Sequence, residues 1–295
     1  MTDRTPVLFG EVLFDCFEDG SRVLGGAPFN VAWHLQAFGC SPVFISRVGN
    51  DPMGQQIRNT MERWGMSTAA LQHDSTHPTG EVSITLDNGQ PNFEIVENRA
   101  YDHIQPDMMP PMNPSLVYHG SLGLRLPGSA SALDRLLEQH PAPVFMDVNL
   151  RPPWWERDQL TRLLDRARWV KINDDELIAL VDDPGDLQSK ASRLMQQHDL
   201  NWVIVTRGAQ GAFALDNDGE INETAPSGHV EVVDTVGAGD AFASVCILGL
   251  LHEWPIPLIM KRAQQFASIL VAQRGATISD TAIYQSLIAD WRLEP

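Results

Sequence analysis

The segment DTVGAGDAF at 234–242 places three small residues between two carboxylates. Gly237, Ala238 and Gly239 leave their backbone N–H groups accessible, and the apolar residues that follow predict that they begin a buried helix. A helix N-terminus of this kind favours a bound anion, yet the next residue, Asp240, is itself acidic. The chain has no GxxxxGK[ST] segment, so this turn is not a P-loop. Asp240 is therefore either a capping residue or a proton acceptor beside the anion.

A second group of polar residues near the N-terminus could bind hydroxyl groups. Asp15 lies at the end of the first apolar segment, and its carboxylate can accept hydrogen bonds from two hydroxyls. Asn30 offers both a donor and an acceptor, and Gly25 and Gly26 let the backbone pass close to a ligand. Taken singly, Asp15 is more typical of a turn at a strand end, and Asn30 is more typical of a helix cap.

Two later segments carry polar residues at the ends of apolar stretches. Asn173 and Glu176 stand three positions apart in NDDE, a spacing typical of a capped helix start. Thr206, Gly208 and Gly211 form a polar loop after an apolar stretch. This loop predicts either a contact with phosphate or a structural turn.

The elements that position these residues alternate between strands and helices. Short apolar segments, which predict strands, recur at 6–15, 41–49, 116–123, 143–150, 168–173 and 202–208. Helical patterns lie between them at 29–39, 54–65, 129–140, 157–167 and 186–200. Nearly continuous apolar strands that alternate with helices predict an α/β fold with three layers, in which helices cover both faces of a mostly parallel sheet.

One region departs from this alternation. Residues 79–96 alternate with a period of two around the turn signal Asp87-Asn88-Gly89, which predicts a hairpin exposed on one side. We expect it to form, with 15–26, a small β-sheet that projects from the main domain as a lid, the second lid segment extending over about 79–99. The 295 residues are interpreted as one domain that carries this lid.

Composition and charge limit the classes of function. The net charge of −17 disfavours binding to nucleic acid and to anionic membranes. No apolar run is long enough for a membrane span, and acidic residues interrupt the first apolar stretch, which argues against a signal peptide. The three cysteines are scattered without metal-ligand spacing, so we expect free thiols and a cytoplasmic protein. A polyphosphate ligand would need local amides, a metal ion or a few basic side chains.

Taken together, the motifs resemble those of the ribokinase-like (PfkB) carbohydrate kinases. The resemblance spans nearly the whole chain and rests on segments in family order: GEVLFD, GGAPFNVAWHLQAFG, VGNDPMG, DVNLRPPWW, KINDDE, VTRGAQGA and VDTVGAGDAF. The GGAPFN form is most similar to that of bacterial fructokinases. The resemblance implies a ribokinase-like fold and ATP-dependent transfer of a phosphoryl group to a sugar hydroxyl.

The resemblance also implies roles for the residues singled out above. Asp240 would be the catalytic base, and the amides of Gly237, Ala238 and Gly239 would stabilise charge on the transferring phosphoryl group. The implied sugar contacts are Asp15, Gly26 and Asn30. The implied ATP contacts are Asn173, Thr206, Gly208, Gly211 and Thr235. Arg151 is either a phosphate partner or part of a surface ion pair.

Two cations and a partner complete the expectation from the resemblance. Glu176 would organise Mg²⁺ through water, and a monovalent cation, K⁺, would lie beside the anion site. The positions that match the family's K⁺ ligands are Asp234, Val236, Gly275 and Ser279. Family members often dimerise through the lid, so we expect a homodimer whose small-molecule ligands are a sugar and ATP.

One departure from the family pattern bears on the acceptor. Many bacterial fructokinases carry an arginine shortly after the second lid strand, where this chain has Glu97, with Arg99 two residues later. Ribose, 2-keto-3-deoxygluconate or a nucleoside are therefore alternatives to fructose. A non-catalytic sugar-binding regulator is a further alternative, which retention of Gly239, Asp240, Asn173 and Glu176 disfavours. An NAD-dependent oxidoreductase is disfavoured because no GxGxxG follows the first strand.

Overall fold

The computed structural model describes residues 5–87, 90–228 and 231–293. Within these ranges the strands are β1 (Thr5–Phe9), β2 (Leu13–Phe17), β3 (Arg22–Gly25), β4 (Val43–Gly49), β5 (Leu71–Asp74), β6 (Gly80–Asp87), β7 (Gln90–Ile95), β8 (Pro114–His119), β9 (Val144–Asp147), β10 (Trp169–Asn173), β11 (Trp202–Thr206), β12 (Ala212–Asp216) and β13 (Ile221–Thr224). The α-helices are α1 (Ala27–Ala37), α2 (Pro52–Arg63), α3 (Pro127–Gln139), α4 (Arg157–Leu164), α5 (Asp174–Leu180), α6 (Leu187–His198), α7 (Ala238–Leu251), α8 (Ile256–Leu270) and α9 (Thr281–Trp291).

The larger sheet is mostly parallel, as the strand–helix alternation predicts. Its nine strands run in the order β13-β12-β11-β10-β9-β8-β1-β4-β5. All neighbours pair in parallel except β11 with β12 and β12 with β13. From β1, one half of the sheet continues through β4 and the other through β8, so the strand order reverses between β1 and β8. In open α/β sheets, ligands bind at the carboxyl ends of the strands at such a reversal.

Two apolar cores lie on opposite faces of this sheet. On β1, Leu8 packs into one core, while its neighbours Val7 and Phe9 pack into the other. Side chains of α1, α2, α7, α8 and α9 fill the first core, and side chains of α3 to α6 fill the second. A strand buried on both faces needs apolar residues at consecutive positions, which explains why the strand segments of the sequence are nearly continuous apolar runs.

The first predicted strand is in fact two strands in different sheets. Residues 6–15 were expected to form a single element, but β1 ends at Phe9 and the chain turns at Gly10, where φ is +142°. A side chain at Gly10 would lie 2.8 Å from Pro28 Cγ, so only glycine fits this turn. Asp15 consequently lies within β2 of the small sheet and does not end the first strand of the large sheet.

The small sheet has the order β3-β2-β6-β7. The hairpin prediction for 79–96 is confirmed, because β6 and β7 pair antiparallel with Val82 opposite Ile95. Asn88 and Gly89 of the predicted turn lie outside the described residues. β2 and β6 pair in parallel, so the segment that contains Asp15 and the hairpin belong to one sheet, as expected.

A buried ion pair anchors the chain that leaves the small sheet. Arg125 Nε and Nη2 each donate to Asp102 at 2.8 Å, and both side chains are almost fully buried. Nη2 also donates to the carbonyl of Val96, just beyond β7, at 2.7 Å. Since the guanidinium lies 4.6 Å from the Trp154 ring centre, it is held by charge, hydrogen bonds and an aromatic face together.

None of the helices in the described ranges is long and apolar enough to cross a membrane.

Candidate active site

The turn before α7 has the geometry that the sequence predicts for a helix N-terminus. Gly237 has φ of +79°, and α7 begins at the next residue, Ala238. A Cβ on Gly237 would lie 2.4 Å from Ala276 Cα, so glycine is required both by the backbone angle and by the close approach of a second loop. Asp240 lies in the first turn of the helix, partly buried, beside the small residues that precede it.

Asp240 contacts the start of another helix. Asn30 Nδ2, near the start of α1, donates to Asp240 Oδ2 at 2.8 Å, although 210 positions separate the two residues. Asn30 is 4% exposed, and its Oδ1 has no partner among the described residues. One side of the amide is therefore committed to the carboxylate, while the other can accept a hydrogen bond from a ligand.

The surroundings of Asp240 favour its protonated form relative to water. Burial raises its pKa to about 6, with a further upward contribution from the charge of Asp147. The hydrogen bond from Asn30 and the charges of Lys171 and Arg151 act in the opposite direction. A carboxylate with a pKa near the working pH is suited to accept a proton from an alcohol.

A buried lysine that sequence analysis did not single out lies next to the same turn. Lys171 Nζ donates to both carboxylate oxygens of Asp147, at 2.9 and 2.8 Å. A Cβ built on Gly239 would lie 3.2 Å from this Nζ, so the ammonium group is in contact with the turn. Burial opposes the charge of Lys171, but the adjacent Asp147 outweighs it and raises the lysine pKa. The turn thus has a permanent cation beside it.

Asn173 and Glu176 form the capped helix start that their spacing predicts. Asn173 Oδ1 accepts from the N–H of Glu176 at 2.8 Å, and Glu176 Oε2 accepts from the N–H of Asn173 at 3.0 Å. Glu176 Oε1 also accepts from the N–H of Leu150 at 2.7 Å, so the carboxylate joins the start of α5 to the segment after β9. Burial raises the pKa of Glu176.

These bonds limit how a metal could be held. Both oxygens of Glu176 already accept backbone N–H groups, and each keeps one lone pair for a water molecule. Across the described ranges, no group of three or more His, Cys, Asp or Glu side chains could hold a metal ion by itself. The donor set fits Mg²⁺ held by nucleotide phosphates and water, with Glu176 outside the first coordination shell.

A cavity of about 460 Å³ lies next to the turn and collects most of the predicted nucleotide contacts. Thr206, Gly208, Gly211 and Thr235 all line it. Its remaining lining residues are mostly small or apolar: Ala209, Pro226, Gly228, Val232, Ala238, Gly239, Phe242, Gln264, Ala267, Ser268 and Val271. Asn173, the fifth predicted contact, is adjacent, since it pairs with Thr206 in the β10–β11 register. An apolar cavity that opens onto a polar glycine loop can hold a flat base and its phosphates.

The three predicted sugar contacts are also close to one another. The carbonyl of Gly26 accepts from the N–H of Asn30 at 2.8 Å, and Gly25 lies against Asp15, whose Oδ2 would be 3.9 Å from a Cβ there. Gly26 has φ of +111°, and a Cβ at this position would lie 2.7 Å from the carbonyl oxygen of Glu11. Only glycine therefore fits at position 26, where the start of α1 lies against the segment between β1 and β2.

Glu11 is a second group that sequence analysis did not identify. Its side chain is 2% exposed, and Oε2 has no partner among the described residues. Burial raises its pKa to about 7, while the charge of Arg151 lowers it. Arg151 also lowers the pKa values of Asp15 and Asp240, although burial raises both overall, so this one exposed guanidinium acts on all three carboxyl groups.

Hydrogen bonds connect three of the four predicted cation positions, Asp234, Val236 and Gly275. Asp234 Oδ1 accepts from the N–H of Val236, and Oδ2 accepts from the N–H of Gly275, both at 3.0 Å. Ser279 lies exposed at the end of the segment that begins at Gly275. Asp234 therefore ties the segment before α7 to the loop between α8 and α9.

Arg99, which follows Glu97 by two residues and could substitute for the arginine of the family pattern, has a partner in the small sheet. Arg99 Nη2 lies 3.5 Å from Glu81 Oε2, and Glu97 is exposed.

Comparisons with known proteins identify the family to which this chain is similar. The family described as pfkB family carbohydrate kinase matches residues 15–283. A fructokinase of Klebsiella pneumoniae is 31% identical over 258 residues, which are 82% of this chain and 83% of that protein. These two findings confirm the resemblance carried by the sequence motifs.

Two solved structures share the fold. A fructokinase double mutant from Vibrio cholerae O395, with fructose, ADP and a potassium ion bound, has a TM-score of 0.83 at 23% identity, covering 95% of this chain and 97% of that one. An aminoimidazole riboside kinase from Salmonella enterica, complexed with aminoimidazole riboside and an ATP analog, has a TM-score of 0.83 at 22% identity, covering 96% and 99%.

Proposed function

This chain belongs to the pfkB family of carbohydrate kinases, and from that membership we propose that it transfers the γ-phosphoryl group of ATP to a sugar hydroxyl, with fructose as the preferred acceptor. The observation that carries the proposal is the 2.8 Å hydrogen bond between Asn30 and Asp240. It joins the helix start proposed to bind the acceptor to the carboxylate proposed to take its proton. A capping residue needs no such partner on another helix.

In the proposed reaction, the acceptor hydroxyl oxygen attacks the γ-phosphorus as the bond to ADP breaks. The hydroxyl proton passes to Asp240, and the N–H groups of the turn from Gly237 to Gly239 donate to the phosphoryl oxygens. The N–H of Ala238 donates to the carbonyl of Thr235 at 3.3 Å, so it must give up or share this long hydrogen bond to take part. Mg²⁺, when bound with ATP, would neutralise charge on the phosphates. Because the turn and the base lie on one helix N-terminus, their relative positions are fixed before the substrates bind.

Lys171 supplies a buried positive charge in contact with the turn. Its ammonium group contacts Gly239 and keeps its charge through Asp147. A chain with a net charge of −17 repels a triphosphate at long range, so a local cation beside the transferring group compensates where charge develops.

The charges around the acceptor site favour an uncharged acceptor. Three carboxyl groups, from Glu11, Asp15 and Asp240, are influenced by the single guanidinium of Arg151. A carboxylated acceptor such as 2-keto-3-deoxygluconate would bring a further carboxylate next to these groups, whereas carboxylates readily accept hydrogen bonds from sugar hydroxyls. Fructose is the first choice among neutral acceptors because of the GGAPFN segment and the similarity to the Klebsiella pneumoniae fructokinase.

A monovalent cation, K⁺, is proposed beside the turn, near Asp234, Val236, Gly275 and Ser279. The hydrogen bonds of Asp234 support this placement, since they bring the two segments together around a carboxylate with lone pairs to spare. Replacing K⁺ by a bulky organic cation at constant ionic strength should lower the activity. An equal rate in both salts would remove the cation from the proposal.

We further propose that the small sheet acts as a lid and that two copies dimerise through it. Phe17, Val23 and Phe93 are 39, 43 and 61% exposed, and the register of the sheet places them on the face that carries Asp15. An isologous contact needs such a self-complementary apolar patch. The substitution Phe93→Glu should shift the mass measured by light scattering from dimer to monomer.

The three free cysteines fit a reducing, cytoplasmic location.

The proposed function is tested by measuring ADP release with a panel of acceptors. The panel contains fructose, ribose, 2-keto-3-deoxygluconate and a nucleoside, each compared with ATP alone. We expect the highest kcat/KM with fructose and the lowest with the carboxylated sugar. Much faster turnover of ribose or the nucleoside would overturn the choice of fructose. Sugar binding by calorimetry without any ADP release would overturn the kinase and favour a sugar-binding regulator.

A further inference from the structure

A histidine outside the proposed catalytic groups connects two parts of the site. We propose that His34 is a positioning residue, whose Nε2–H holds the loop at 275–279 against the Gly237 turn and so fixes both the anion-binding turn and the proposed cation position. The effect of His34 on catalysis rests on the proposed function. That His34 holds this loop follows from its hydrogen bonds alone, whatever the reaction is.

The hydrogen bonds of His34 determine which ring nitrogen carries the proton. Nε2 lies 3.1 Å from the carbonyl oxygen of Ala276, which can only accept, so Nε2 must donate. Nδ1 lies 2.8 Å from the hydroxyl of Tyr284. Because the ring is fully buried, its pKa is lowered to about 4, so the neutral ring can accept at Nδ1. The single proton of the Tyr284 hydroxyl also has the carbonyl of Ile278 within reach, at 3.3 Å, and we assign it to Nδ1 because that contact is shorter. Tyr284 thus selects the tautomer that can hold the loop.

A second bond from the same helix holds the same loop. Trp33 Nε1 donates to the carbonyl of Ile278 at 2.9 Å, and Trp33 is itself fixed by a stacked Trp64 at 4.1 Å between ring centres. The loop carbonyls at 276 and 278 are therefore both bound by consecutive residues of α1. A loop with two buried carbonyls satisfied from one helix has little freedom to move independently of that helix.

The other side of this loop touches the catalytic turn. Ala276 Cα would lie 2.4 Å from a Cβ on Gly237, and the N–H of Gly275 donates to Asp234. A shift of Ala276 would therefore be transmitted to the Gly237 turn, and a shift of Gly275 to Asp234. His34 lies directly behind this contact, on the helix that also carries Asn30.

The consequence is that α1 links the acceptor to the anion site by two routes. Asn30 reaches Asp240 directly, and His34 reaches the Gly237 turn through Ala276. Since both residues are buried on one helix, a displacement of α1 on acceptor binding would move the base and the turn together.

Two substitutions separate the bond to the loop from the bond to Tyr284. The side-chain amide of Gln ends near the position of Nε2, so His34→Gln can still donate to Ala276. The shorter amide of His34→Asn ends near Nδ1 and can meet Tyr284, but it does not reach Ala276. A third variant, Leu133→Ala, destabilises the core on the opposite face of the sheet and controls for a general loss of stability.

The first measurement is amide hydrogen exchange of the peptide covering 273–280, which needs no enzymatic activity. We expect at least about tenfold faster exchange in His34→Asn, and exchange close to that of the wild type in His34→Gln and Leu133→Ala. The second is kcat at saturating acceptor and ATP. It should fall at least about tenfold in His34→Asn, and the K⁺ concentration for half-maximal activity should rise, because a misplaced turn binds the transition state less well. Calorimetric binding of the acceptor should change less than about threefold.

Equal exchange and equal kcat in His34→Asn and His34→Gln would overturn the proposal. So would an exchange rate in Leu133→Ala that matches His34→Asn at the same loss of Tm. If the wild type proved insensitive to K⁺, the cation part of the proposed function would fail, while the exchange and kcat comparisons would still decide the role of His34. If no acceptor were phosphorylated, exchange alone would decide it.

Discussion

Replacing Gly237 by alanine tests the turn at its most constrained point. The residue has φ of +79°, and an added Cβ would lie 2.4 Å from Ala276 Cα, 2.5 Å from its Cβ and 3.0 Å from its carbonyl oxygen. The obstacle is backbone, which cannot rotate away as the end of a flexible side chain could. Relief therefore requires the turn and the loop to separate.

The size of the effect follows from these distances. Ordinary carbon–carbon contacts begin at about 3.5 Å, so the two segments must move apart by about 1 Å. A displacement of about 1 Å at a reacting centre can lower the rate by roughly 10²-fold. The left-handed backbone angle adds a cost of about 1–2 kcal/mol to folding, independent of the clash.

A matched control separates the two effects. Gly219 has nearly the same φ, +81°, but no atom lies within 4 Å of its Cβ position, and it lies in the turn between β12 and β13. Both Gly237→Ala and Gly219→Ala should lose stability through the backbone angle, measured as Tm, but only Gly237→Ala should lose kcat by about 10²-fold. The same kcat in both folded variants would refute the role assigned to the packed turn.

Three further outcomes are expected. First, kcat/KM should rise with pH to a plateau with an apparent pKa near 6, because burial raises the pKa of Asp240 and only its ionised form accepts a proton; a rate independent of pH from 5 to 7 would contradict this. Second, the double substitution Lys171→Met with Asp147→Asn removes both buried charges, so the fold should persist while kcat falls by about 10²-fold; an unchanged kcat would exclude Lys171 from phosphoryl transfer. Third, Asp102→Asn leaves the buried Arg125 without its carboxylate and should cost about 3–5 kcal/mol of unfolding free energy, measured by denaturant titration. The exposed pair of Arg166 and Asp134 gives the control, since Asp134→Asn should cost less than about 1 kcal/mol; equal losses would contradict the anchoring role of Asp102.

The sequence predicts the elements whose signals are local. The start of α7 within the small residues 237–239 and the capped start of α5 at Asn173 both follow from short-range backbone requirements. The parallel sheet follows from apolar runs buried on both faces. The division of residues 6–15 into two strands was not predicted, although Gly10 and Glu11 interrupt the apolar residues at the turn. A glycine within a strand pattern is equally typical of a bulge in one continuous strand, so the sequence did not distinguish the two.

The side chains that complete the site were missed for a different reason. Lys171 stands within an apolar strand segment, where a single charge carries no periodic signal, and its partner Asp147 is 24 positions away. The roles of His34 and Glu11 likewise depend on tertiary contacts, which the sequence pattern around each residue does not reveal. For a lone buried histidine, sequence alone favours an ordinary core position, and only the carbonyl of Ala276 indicates otherwise. Local sequence signals thus identify the turn and the helix starts. The charged groups and the positioning histidine around them can be identified only from tertiary contacts.

The central claim is that Asp240 takes the proton of the acceptor, and Asp240→Asn tests it most directly. Asparagine keeps the size of the side chain and can still accept from Asn30 Nδ2, but it cannot act as a base at neutral pH. The measurement is kcat, acceptor Kd and Tm on one preparation. We predict a fall in kcat of at least about 10²–10⁴-fold, with Kd and Tm nearly unchanged. A folded Asp240→Asn protein with kcat close to that of the wild type would contradict the account, and Asp240 would then be only a capping residue of α7.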